Sequence, residues 1–61
     1  MVTIHAFYRA DNREMIHKFY EEAAAAGVIE ASRNDAGNLR YDYYFSAERE
    51  NEILLVEKWE S

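Results

Sequence analysis

From Val2 to Arg9 the chain alternates without a helical period, with Val2, Ile4, Ala6 and Tyr8 on one side and Thr3, His5, Phe7 and Arg9 on the other. Apolar groups on both sides predict a strand covered twice, because a sheet wet on one face alternates more cleanly. Asp11 is a good N-cap and Glu14 follows three residues on, so a helix is predicted from about Asn12. Met15, Ile16, Phe19, Tyr20 and Ala23 recur at helical spacing as one buried stripe, with Arg13, Lys18, Glu21 and Glu22 largely off it. At Gly27 the phase slips, since Val28 and Ile29 align with Ala25 and Ser32 instead. One straight helix cannot bury both sets, which predicts a kink, bulge or break there. Gly37, after Asn34 and Asp35, is expected to take the left-handed conformation that closes the helix. A second strand follows from Asn38 to Phe45, with Leu39, Tyr41, Tyr43 and Phe45 on one face and Arg40, Asp42 and Tyr44 on the other. Ser46 to Asn51 is a polar loop, too long for a two-residue hairpin. Ile53 to Trp59 is a third strand, apolar on both faces.

The order β-α-β-β is the first part of a ferredoxin-like βαββαβ unit, an α+β fold in a single domain over residues 1–61. One helical layer covers one face of such a sheet. The other face, apolar as well, calls for a partner, and a homodimer joined sheet to sheet supplies it. Size points the same way, because a domain of 61 residues buries only about 60% of the surface of its unfolded chain. No cysteine is present, so disulfides and thiolate metal sites are excluded, and the cysteine usage suits the cytoplasm. His5 and His17 are too far apart in pattern to suggest a structural zinc, and no metal or cofactor is expected.

Charge narrows the partners. The net charge of -5 offers no basic patch for a phosphate backbone, so no nucleic acid is expected. No apolar run has the length of a membrane span and no leader resembles a signal peptide, so no membrane is expected either. With 49% hydrophobic residues the chain has the material for a core, and disorder is not expected.

The segments ASRNDAGNLRYDYY and ILLVEKWES, in this order after a strand and a helix, resemble the antibiotic biosynthesis monooxygenase domain family, including its small quinol-monooxygenase-like members. The similarity runs through nearly the whole chain and is strongest from Val28 to Ser61. The resemblance implies a dimeric α/β barrel in which two ferredoxin-like sheets face each other and each protomer has a pocket between sheet and helices. It implies oxidation of a quinol or phenolic aromatic substrate by O2 without metal or flavin. It also implies either a piece of the domain or a chain that has lost half of its site, since family members continue after the segment matching EKWES with a second helix and a fourth strand that are absent here. Trp59 is similar to the family's pocket tryptophan. His5 stands on the first strand where haem-degrading relatives carry an asparagine, which speaks against haem.

Each candidate residue has an ordinary reading beside the functional one. Trp59 offers a flat wall for an aromatic ligand and an N–H donor, although a tryptophan at a strand end is most often core or interface. His5 could take a proton from a phenol, with an unperturbed pKa near 6.5, although a lone strand histidine is more often structural. Phe7, Phe19, Tyr41 and Tyr43 are expected as substrate-pocket walls or plain packing. His17 and the Glu48, Arg49, Glu50 cluster are expected to be solvated. Two alternatives to the monooxygenase reading remain open. One is an isomerase of a small phosphorylated metabolite, suggested by GNLRYD and needing a cationic site for which Arg9, Arg33 and Arg40 are the candidates. The other is a non-catalytic module for small-molecule binding or dimerisation.

Overall fold

The computed structural model describes residues 1–60. Strand β1 (Val2–Arg9) is followed by helices α1 (Arg13–Ala25) and α2 (Val28–Arg33), then by strands β2 (Asn38–Phe45) and β3 (Glu52–Trp59). The strands form one antiparallel sheet in the order β1-β3-β2. The fold is therefore α+β, the β-α-β-β part of a ferredoxin-like unit. No helix among the described residues is long and apolar enough to cross a membrane.

The break expected at Gly27 is present and has a clear cause. Gly27 has φ 78°, a left-handed conformation that a side chain disfavours, and it is the N-cap of α2. Two short helices then meet the sheet at their own angles, so α1 buries Ile16 and α2 buries Ile29. Four local expectations are corrected. The cap of α1 is Asn12 rather than Asp11, with Asn12 Oδ1 accepting from the Met15 N–H at 2.9 Å. Met15 and Val28 lie outside the buried stripes and are exposed. Gly37 does not take a positive φ, because the helical segment has already closed through Asn34 in a right-handed conformation. Leu39 faces no partner, since a bulge between Asn38 and Arg40 takes it out of register and leaves it exposed.

The central strand β3 carries the core. Ile53 and Leu55 are almost fully buried under the helices, and Leu55 packs with Ile29 and Tyr41, flanked by Ala6, Tyr20, Ala23 and Tyr43. The helices lie chiefly over β2 and β3. Strand β1 is consequently not covered twice within one chain: only Ala6 is half-buried, and Val2, Ile4, Phe7 and Tyr8 are exposed. Glu52 is buried at the start of β3, and Arg9 Nε donates to its Oε2 at 2.8 Å, which compensates the desolvated carboxylate.

Candidate functional site

Alternation along β3 sends Ile53, Leu55, Glu57 and Trp59 toward the helices and Glu52, Leu54, Val56 and Lys58 away from them. Register extends the rule to both neighbours. Tyr8, Ala6, Ile4 and Val2 of β1, and Phe45, Tyr43 and Tyr41 of β2, flank the first set. Phe7, His5 and Thr3, with Tyr44, Asp42 and Arg40, flank the second.

The helix-facing side carries a connected aromatic set. Ring centroids are 5.1 Å apart for Tyr8 and Phe19, 6.3 Å for Phe19 and Tyr43, 5.6 Å for Tyr20 and Tyr43, and 5.9 Å for Tyr41 and Tyr43. All but the first meet edge to face, the arrangement that ring quadrupoles favour. Toward β1 this layer is open, with Ile4 43% exposed beside the half-buried Glu57, its cross-strand partner. Tyr41 faces Glu57 from the other side. At the strand end Trp59 Nε1 donates to Glu57 Oε1 at 3.1 Å. The indole also lies over Gly37, where an added methyl would stand 3.8 Å from Trp59 Cε3.

The result is an apolar shelf with aromatic walls and one carboxylate. Burial first, then the adjacent Tyr41 phenol, with Tyr8 and Glu57 nearby, holds the Tyr43 hydroxyl well above the ordinary phenol range. Tyr43 therefore remains a hydrogen-bond donor at neutral pH.

The residues expected at the site divide between the two faces. Trp59, Tyr41, Tyr43 and Phe19 share the helix-facing layer. His5 and Phe7 lie on the opposite face, both exposed, with His5 beside Val56 and Phe7 beside Leu54. Within one chain the sheet separates His5 from Trp59, so the two cannot hold the same ring. Two residues of the shelf were not foreseen, Glu57 and Tyr8. The signal for Glu57 is its place among Ile53, Leu55 and Trp59, since a carboxylate in an otherwise apolar strand face is the informative exception.

Elsewhere, Arg13, His17, Phe45, Ser46, Ala47 and Glu50 line a cleft of about 400 Å³. His17 is half-buried there rather than solvated, stacked on Phe45 with centroids 4.1 Å apart and planes 5° from parallel. Glu48, Arg49 and Glu50 are exposed, as expected. Of the three arginines considered for a phosphate, two converge, but on a carboxylate, and the third stands apart from them. Arg9 is held by Glu52 on β1, while Arg33 and Arg40 both bind Asp42 on β2, at 3.3 and 2.9 Å.

Among known families, the model described as antibiotic biosynthesis monooxygenase matches residues 1–61. No curated protein and no solved structure matches the chain.

Proposed function

Because the chain belongs to the antibiotic biosynthesis monooxygenase family, we propose that it oxidises a quinol or phenolic aromatic substrate with O2, using no metal or organic cofactor. The observation that carries this reading is the aromatic layer on the helix-facing side, where Phe19, Tyr41 and Tyr43 pack in sequence and Trp59 stands at the strand end, bonded to Glu57 beside the exposed Ile4. A flat electron-rich ring suits such walls, and a few polar groups among apolar ones orient a ligand. In the proposed reaction a phenol and dioxygen give a quinone and water. One oxygen atom enters the ring, and the O–H and ring C–H hydrogens leave with the other as water. The substrate supplies all the electrons. The chain's own part is to bind and orient the ring, and to limit water around the anion that forms when the phenol loses its proton.

In this reading His5 and Phe7 belong to a second surface. The face away from the helices presents Phe7, 60% exposed, with Tyr44 and Leu54 around the buried Val56, and a second copy of the chain is the proposed occupant. Arg9 is already engaged by Glu52, and Arg33 and Arg40 by Asp42, which gives the phosphate-isomerase alternative no support. Oxygen consumption with a panel of hydroquinones, naphthols and simple phenols tests the activity. Uptake that requires a phenolic ring and falls at least tenfold in Trp59→Ala supports the proposal. A folded protein that consumes no oxygen with any of them overturns it.

A further inference from the structure

Trp59 and Glu57 are two residues apart on β3 and share the helix-facing side, so the carboxylate and the indole form one unit. The indole occupies Oε1, and Oε2 accepts no hydrogen bond from any described residue. Glu57 is half-buried, with Ile4 and Tyr41 on either side, Leu55 before it on the same face, and the Tyr43 hydroxyl close enough to feel its charge. A carboxylate with one oxygen committed and the other free, at the apolar and open side of an aromatic shelf, is a strong acceptor awaiting a donor.

We propose that Glu57 binds the hydroxyl of the aromatic substrate through Oε2 while Oε1 holds the Trp59 indole as the wall on which the ring stacks. The inference rests on the monooxygenase reading and adds the residue that selects for a free hydroxyl. Glu57 acts as an anchor rather than as the base that takes the proton outright. A carboxylate is a far weaker base than a phenolate, so the hydroxyl keeps its proton and shares it as a charge-assisted hydrogen bond. A short bond from the phenol to the carboxylate still shifts electron density toward the ring, which favours electron loss to O2.

Trp59 is the single tryptophan of the chain, so its fluorescence reports on the shelf directly. Under argon, where no turnover occurs, hydroquinone is titrated into the wild-type protein and into Glu57→Gln, and its dimethyl ether, which has no O–H, is titrated in parallel. Glutamine keeps the shape and an oxygen for the indole. The expected result is hydroquinone binding weakened roughly tenfold in Glu57→Gln, with binding of the dimethyl ether unchanged. Equal weakening of both ligands would show that Glu57 only shapes the wall, and equal hydroquinone affinity in both proteins would show that it is not the anchor. Either result overturns the inference and leaves the oxygen-uptake reading standing if the wild type turns over. Neither binding nor uptake by the wild type removes both.

Discussion

Single residues decide where this chain bends and what its site offers. Gly27 and Gly37 look alike in the sequence, yet their conformations differ. Gly27 has φ 78° and no neighbour within 4 Å of an added methyl, so Gly27→Ala meets backbone strain without any clash. Gly37→Ala places its methyl in ordinary contact with Trp59 at no positive φ. Thermal unfolding should therefore show Gly27→Ala losing about 1 kcal/mol, a fall in Tm of roughly 4–8 °C for a domain of this size, and Gly37→Ala losing much less. Asn12 outcompetes Asp11 as the cap for a related reason. The extended backbone at Asn12 aims its side chain at the Met15 N–H, and sequence spacing by itself admits either residue.

At the scale of elements, β3 is the shared boundary of two surfaces, and its alternation assigns every neighbour to one of them. The strands and their parity were legible from Val2–Arg9 and Asn38–Phe45, because period-two alternation is local. Which parity the helices cover was not legible. That depends on where α1 and α2 dock, and it puts His5 and Trp59, both site candidates from the sequence, on opposite faces. The helix-facing layer also has a titration signature. Tyr43 keeps its proton to higher pH in the folded protein than in the unfolded chain, where its pKa is 10.0. The stability associated with that proton is fully present below pH 10 and is lost as pH rises toward the folded-state value. Tyr43→Phe should thus reduce the fall in stability above pH 10, measured by denaturant unfolding in alkaline buffers, and should remove the last tyrosine to ionise in a phenolate absorbance titration.

For the whole molecule, the sheet has one helical layer and one open face. The open face combines Phe7, Tyr44, Leu54 and Val56 with the charges of Arg40, Asp42 and Lys58, a mixture suited to an interface with an apolar centre and a polar rim. If a second copy covers it, sedimentation should report a dimer for the wild type and a monomer for Phe7→Glu. Met15→Glu, at an exposed apolar residue on α1, should remain dimeric. A monomeric wild type at all concentrations would remove the second copy from the proposal.

The sequence by itself determined the strands, the helical segment, its interruption at Gly27 and the α+β class, because periodicity and glycine chemistry act over a few residues. It also carried the family, through segments such as ILLVEKWES. Tertiary structure alone decided that Leu39 falls out of register, that His17 stacks on Phe45, and that Trp59, Tyr41, Tyr43 and Phe19 share the helix-facing side while His5 and Phe7 face away. It alone joined Glu57 to the Trp59 indole. These depend on register and helix docking, contacts between residues far apart in the chain that no local pattern encodes.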